Sequence, residues 1–318
     1  MSALAVETRA LTRTFGDVRA VDGIDLAIPA GEIYGFLGPN GAGKSTVVRM
    51  LCTLLLPTSG EAIVAGHDVT HEAEQVRLSI GAALQATAID PKQTGRELLR
   101  LQARLYGLRR RAVTDRVGQL AELVDIGDAL DRRVGTYSGG MRRRLDLALA
   151  LVHTPSILFL DEPTTGLDPA SRVRIWDEVR RLNRVEGMTI FLTTQYLEEA
   201  DELAGRVGII DRGRLAAQGT PAELKRAVGA DVVEAEISGD VAVAAQAVRA
   251  LDGVEEVAVH EQQLTIRTRN GAAALSPVAL ALDASGAQVR SLTLRTPTLD
   301  DVFLQLTGAH LRAGEEAA

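Results

Sequence analysis

The sequence predicts an α/β chain: a mixed sheet core with an antiparallel β edge and a helical subdomain, followed by a small α+β domain. A glycine-rich turn joins the apolar strand pattern of residues 32–37 to a helical pattern beginning at Lys44. Two short apolar runs, 156–160 (SILFL) and 188–193 (MTIFLT), flank a helical stretch, the mark of parallel strands covered on both faces. Beyond Gly229 the patterns follow the order β-α-β-β-α-β, a split βαβ (ferredoxin-like) arrangement.

The elements follow in order. Residues 5–28 alternate apolar and polar side chains around a turn at Phe15-Gly16-Asp17, which predicts two or three strands of an antiparallel edge. The glycine-rich turn spans 38–43, and the helix after it is expected over 44–55. Residues 94–133 are rich in Leu, Arg, Glu and Ala at helical spacing, so the helical subdomain is placed at about 86–155. A helix is expected over 170–185 between the two apolar strands. The first domain is then expected to span 1–228 and the second 229–318. The second has strands at 232–237, 255–259, 264–268 and 288–294, helices at 241–251 and 272–284, and a last helix capped by Thr298. The tail beyond His310 is expected to fray.

At 318 residues and 46% hydrophobic, the chain is long enough for two cored domains. Its net charge of -7 argues against a protein that coats nucleic acid, which needs a basic surface. The basic runs Arg109-Arg110-Arg111 and Arg142-Arg143-Arg144 remain open as local contact points, the first more simply read as a solvated helix face. The single cysteine, Cys52, allows no intrachain disulfide and suits a reducing interior. The N-terminus lacks a basic start followed by an apolar stretch, and no segment approaches 18 uninterrupted apolar residues. A chain made in the cytoplasm is the expectation.

The chemistry concentrates in two places. Gly38-Pro39-Asn40-Gly41-Ala42-Gly43-Lys44-Ser45-Thr46 fits G-x-x-x-x-G-K-[ST] in full. Glycines let backbone N–H groups point at phosphate oxygens, the helix start adds its positive end, and Lys44 places a charge on the β and γ phosphates. The ligand expected is ATP, with Ser45 binding Mg²⁺ through its hydroxyl. Asp161 and Glu162 close the SILFL strand, where ligands sit in open α/β sheets. Asp161 is expected to hold Mg²⁺ through water and Glu162 to act as general base, a role typically worth about 10²–10⁴ in rate.

The order of GPNGAGKST, Gln85, YSGGM (137–141), LFLDEPTTGLD (158–168) and LTTQYLEEAD (192–201) resembles an ATP-binding cassette (ABC) ATPase, over about residues 4–224. The resemblance implies a P-loop NTPase-like cassette. It also implies that Ser138, Gly139 and Gly140 contact the γ-phosphate of ATP held by a second cassette, so that the working site forms between two copies. Phe15 matches the aromatic that stacks on adenine, although from the local pattern a core strand residue serves equally. Gln85 matches the glutamine that senses Mg²⁺ and the attacking water while touching the membrane partner. Asp168 matches the loop that couples opposed sites.

Two positions depart from the pattern. Met141 stands where glutamine is usual. Gln195 stands where a switch histidine is usual; its amide can donate to the γ-phosphate but cannot titrate. Competent hydrolysis is expected, with any loss appearing in the rate. TTQYLEEAD together with TPTLDDVFLQLTG (296–308) is similar to drug-exporter ATPases of the daunorubicin-resistance type. That likeness implies a motor subunit paired as a homodimer at the cytoplasmic face of the membrane, peripheral to a separate transmembrane permease that exports a drug-like or lipid-like compound. The alternatives are a soluble cassette acting on ribosomes or nucleic acid, disfavoured by the single cassette and the lack of a long heptad segment, and a non-hydrolysing nucleotide binder, disfavoured by intact Lys44, Asp161 and Glu162. His67 and His71, four apart in a loop-like setting, are not expected to bind metal.

Overall fold

The computed structural model describes residues 3–84, 89–229 and 231–307; Gln85 and the tail beyond His310 lie outside them. The described residues up to Pro221 form one compact unit and those from Ala222 onward a second. The division falls just after the first residue of the helix expected to close the first domain at Val228, so the rest of that helix groups with the second unit.

The chain opens with β1 (Leu4–Phe15) and β2 (Val18–Pro29), which pair antiparallel across a turn where Gly16 takes φ +55°. Next, β3 (Ile33–Leu37), buried at every position, runs into the glycine-rich turn and α1 (Lys44–Leu51). The helix stops at Leu51 and not at Leu55 as the apolar run suggests. Thr53 takes φ +60°, outside the right-handed helical region, and Leu54 and Leu56 face solvent. β4 (Ser59–Val64) and β5 (His67–Asp68) join β1, so the expected antiparallel edge is a sheet of its own, in the order β2-β1-β4-β5.

After α2 (Ala73–Ser79) and β6 (Ile80–Ala83) comes the helical subdomain: α3 (Gly95–Leu105), α4 (Arg110–Leu123) and α5 (Gly139–Ala150). β7 (Ile157–Asp161), α6 (Pro169–Glu186), β8 (Thr189–Thr194), α7 (Leu197–Leu203), β9 (Arg206–Asp211) and β10 (Arg214–Gly219) then complete a six-stranded sheet, ordered β10-β9-β3-β8-β7-β6. Its neighbours run parallel except β10 on β9. Alternate residues of its central strands feed two cores. Ile157 and Phe159 pack toward α1 and the antiparallel sheet, whereas Leu158 and Leu160 pack toward the helical subdomain and α6. On the first side Tyr34, Phe36 and Phe159 gather around Phe191, with ring centroids 5.5–5.6 Å from it.

Topology places the functional residues. Because β8 lies between β3 and β7, Leu37 stands opposite Thr194, and Asp161 stands opposite Thr193. The carboxyl ends of three strands therefore meet at one edge, and whatever follows each strand is delivered there.

The second unit comprises α8 (Pro221–Val228), β11 (Asp231–Ser238), α9 (Val241–Arg249), β12 (Val254–His260), β13 (Gln263–Thr268), α10 (Gly271–Ala284), β14 (Gln288–Arg295) and α11 (Leu299–Thr307). Its strands pair antiparallel in the order β12-β13-β11-β14, the topology of a split βαβ unit. Val233, Ala235 and Ile237 pack with Val248 and Leu282 in its core. Thr298 caps α11 as expected, its hydroxyl accepting from the Asp301 amide at 3.2 Å.

Candidate functional site

Gly38 leaves β3 so close to β9 that a Cβ there would lie 2.4 Å from the Ile210 carbonyl oxygen. Gly43 takes φ +109°, and its Cβ would lie 2.5 Å from the Ala20 carbonyl oxygen. Both positions therefore require glycine. Between them the Ala42 amide donates to the Pro39 carbonyl at 3.2 Å, and Asn40 and Gly41 form the exposed tip. No side chain caps α1, so the amides of Lys44, Ser45 and Thr46, which no carbonyl four residues back serves, are available to an anion.

Lys44 is buried. Its Nζ donates to the carbonyls of Gly38 at 2.7 Å and Pro39 at 3.2 Å, and lies 3.4 Å from Glu162 Oε1. Burial draws the ammonium below the ordinary lysine range, opposed by Glu162 and Asp161. Ser45 Oγ donates to Asp161 Oδ1 at 3.3 Å. Two strands that are far apart in sequence thus share one site with the loop.

Thr193 organises the carboxylates, and sequence reasoning passed it over. Its hydroxyl donates to Asp161 Oδ1 and accepts from the Glu162 amide at 3.1 Å, while its carbonyl accepts from the same amide at 3.0 Å. Its one signal is a polar side chain inside an apolar strand, and it is fully buried. Glu162 takes φ +49°, uncommon for a residue with a side chain, and its Oε2 accepts from Thr165 Oγ1 at 3.2 Å. Gln195, half-buried, follows β8 directly.

Phe15 lies at the end of β1, 46% exposed, with the Arg13 guanidinium 4.6 Å from its ring centroid. It is not a core residue, so of its two readings only the exposed aromatic stands. Gln85 is among the site residues expected from sequence and lies outside the described residues.

The Ser138–Gly140 element belongs to a different neighbourhood. Ser138 caps α5, its Oγ accepting from the Met141 amide at 3.2 Å, and Met141 packs its side chain on the apolar core. A Cβ on Gly140 would lie 3.0 Å from Ser171 Oγ, so the glycine admits α6. Asp168 caps that helix, accepting from the Ser171 amide at 2.9 Å; bonds from the Ser171 hydroxyl and amide hold its carboxyl below the usual range. Asp168 and the Ser138 element are therefore neighbours. Among the described residues, no hydrogen bond or ion pair joins Ser138, Gly139 or Gly140 to residues 38–46 of the same chain.

The basic run 142–144 bonds to its own chain, with Arg142 still exposed. Arg142 donates to the Tyr137 carbonyl at 3.3 Å, Arg144 to the Val124 carbonyl at 3.2 Å, and Arg143 to the Asp161 carbonyl at 3.0 Å. Beside Arg143, burial pushes the Asp146 carboxyl up to about 7, the guanidinium opposing. His67 and His71 face separate carboxylates, Glu72 and Asp68, and no metal-ligand cluster of His, Cys, Asp or Glu occurs among the described residues. Nor is any described helix long and apolar enough to cross a membrane.

Comparison with known proteins matches residues 21–165 to the ABC transporter family and residues 219–307 to the C-terminal domain of DrrA1-3-like ATP-binding proteins. The chain is 47% identical to the daunorubicin/doxorubicin resistance ATP-binding protein DrrA of Streptomyces peucetius, over 99% of this chain and 96% of that protein. It is 40% identical to the doxorubicin resistance ATP-binding protein DrrA of Mycobacterium tuberculosis (strain H37Rv), over 96% and 94%. It is 37% identical to the Nod factor export ATP-binding protein I of a Rhizobium species, over 98% and 99%. Among solved structures, CbiO1 of Clostridium perfringens, described as part of the ABC transporter complex CbiONQ, matches 70% of this chain and 90% of its own, at 27% identity and a TM-score of 0.64. A dimeric cassette, MJ0796 bound to ADP and Pi, shares the fold over 68% of this chain and 98% of its own, at 23% identity and a TM-score of 0.62.

Proposed function

Because this chain belongs to the family of ABC transporter ATPases, we propose that it is the ATP-hydrolysing motor subunit of an exporter, driving efflux of a drug-like or lipid-like compound through a separate permease. The residues divide the work as follows. Amides of the 38–46 loop and the Lys44 ammonium receive the β and γ phosphates. Lys44 must leave its Gly38 and Pro39 carbonyls for phosphate oxygens, an exchange favoured by the full negative charge of the ligand. Glu162 takes a proton from the attacking water, and the Gln195 amide donates to the γ-phosphate. Phe15 supplies an open aromatic face for adenine.

The hydroxyl of Ser45 and the carboxylate of Asp161 stand together as hard oxygen donors, the chemistry Mg²⁺ requires, with Gln85 as a further ligand by family pattern. When bound, Mg²⁺ neutralises charge on the β and γ oxygens. The second half of the site comes from Ser138, Gly139 and Gly140 of another copy, which makes the working unit a dimer. Such a dimer sits on the cytoplasmic face of the membrane, held there by its permease, with the unit from Ala222 onward as an accessory domain. None of the named relatives supports a soluble role on ribosomes or nucleic acid.

The observation that carries this reading is the proximity of Lys44 to Glu162, 3.4 Å, and of Ser45 to Asp161, 3.3 Å. Glu162→Gln protein is expected to bind ATP with parental affinity and to lose about 10²–10⁴ of its turnover. Full turnover in that variant would overturn the assignment of the base.

A further inference from the structure

One buried arginine links three parts of the site that the assigned roles leave unconnected. The Arg143 side chain is 15% exposed and its guanidinium has five N–H groups. Nε donates to the Pro163 carbonyl at 3.1 Å. Nη1 donates to the Leu84 carbonyl at 3.3 Å and to Asp146 Oδ2 at 3.0 Å, and Nη2 to the carbonyls of Ala83 at 3.4 Å and Asp161 at 3.0 Å. Every donor has an acceptor. Asp161 and Pro163 flank Glu162, so two of the five bonds hold the carbonyls of the residues on either side of the general base. Glu162 sits there at φ +49°, a conformation its neighbours must hold against relaxation. Two more bonds hold the end of β6, the strand that leads to Gln85 in the sequence. Arg143 itself rides on α5, whose first turn carries Gly139 and Gly140. Asp146, one turn along α5, fixes the guanidinium from behind.

We propose that Arg143 is a positioning residue for hydrolysis, locking the Glu162 turn and the end of β6 to the helix that presents Ser138–Gly140. The inference rests on Glu162 being the base. A lysine cannot replace it, since three donors on one atom cannot span carbonyls of β6 and β7 together.

The test is steady-state ATPase kinetics of the purified full-length chain carrying Arg143→Gln, Arg143→Lys, Glu162→Gln, or Arg143→Gln with Glu162→Gln. Arg143→Gln is expected to lower kcat about ten- to a hundredfold, the scale of a misplaced catalytic group, with KM for ATP within about threefold of the parent. Arg143→Lys is expected to recover only part of that loss. In the double variant, Arg143→Gln is expected to cost almost nothing beyond Glu162→Gln, because an aid to a missing base has no one to help. Parental kcat in Arg143→Gln beside a crippled Glu162→Gln would sink this inference and leave the base assignment standing. Losses that multiply in the double variant would also sink it, by pointing to a general weakening of the fold. Parental turnover in Glu162→Gln would instead remove the base on which the inference rests. Should Arg143→Gln fail to fold, Arg143→Lys carries the same test: kcat reduced at unchanged KM supports the proposal, and parental kcat overturns it.

Discussion

Asp146 is a carboxylate that the fold would rather keep neutral. Its folded-state value is about 7 against an ordinary 3.8, because burial outweighs the attraction of Arg143. Between those values the folded chain binds more protons at this site than the unfolded chain does. Stability at this residue is therefore fullest below the ordinary value, falls as pH rises through the window, and levels off above about 7. An Asp146→Asn variant has no such proton to lose. Urea midpoints of parent and variant measured at about pH 5 and about pH 8 are expected to show a flatter profile in the variant; parallel profiles would contradict it. Gln195 permits a second residue-level expectation. Its amide is a neutral donor to a charged acceptor, so Gln195→Ala is expected to slow turnover roughly ten- to a hundredfold, the worth of one hydrogen bond to a charged group. A variant as fast as the parent would mean that this side chain does not touch phosphate.

Elements report a division between what holds the fold and what performs chemistry. Thr94 and Glu97 form a reciprocal capping box at the start of α3, at 3.2 and 2.8 Å. Thr94→Ala is expected to cost about 1 kcal/mol in denaturant unfolding and to leave kcat unchanged; a rate loss without a stability loss would assign α3 a catalytic task. The strongly patterned elements were legible in the sequence. β7, α6 and β8 are uninterrupted apolar or amphipathic stretches, and the glycine loop between β3 and α1 has a spacing that chance seldom produces. Short strands leave no such pattern: β6 is Ile-Gly-Ala-Ala, β5 has two residues, and β10 alternates small side chains that carry little hydrophobic contrast. The sequence pattern overextends α1 because Leu54 and Leu56 continue its apolar run while facing solvent. Thr193 and Arg143 stayed hidden for another reason. Their roles depend on the register of β7 against β8 and β6, which no local pattern encodes.

At the scale of the whole molecule, the Ser138–Gly140 element and the phosphate loop are halves that one chain does not join, and the proposed function requires two copies to join them. Gly139 allows a direct test. It opens α5 without a positive φ, and a Cβ there would meet only Leu167 Cδ2, at 4.0 Å. A side chain at this position therefore has room in its own chain, and a carboxylate in the first turn of a helix is stabilising. Gly139→Asp should fold as well as the parent. In a closed pair, however, the same carboxylate would face the γ-phosphate of the other copy, where like charges repel in a desolvated site. Sedimentation of Glu162→Gln protein with saturating Mg-ATP is expected to give a dimer that falls apart when the nucleotide is removed, since ATP held by the loop of one copy bridges to the Ser138–Gly140 element of the other and so favours the closed pair. Adding Gly139→Asp is expected to leave a monomer whose thermal unfolding and single-copy ATP binding match the parent. If the Gly139→Asp protein dimerises as readily as Glu162→Gln alone, the second copy does not reach phosphate through this element, and the two-copy site is wrong even where the base assignment survives.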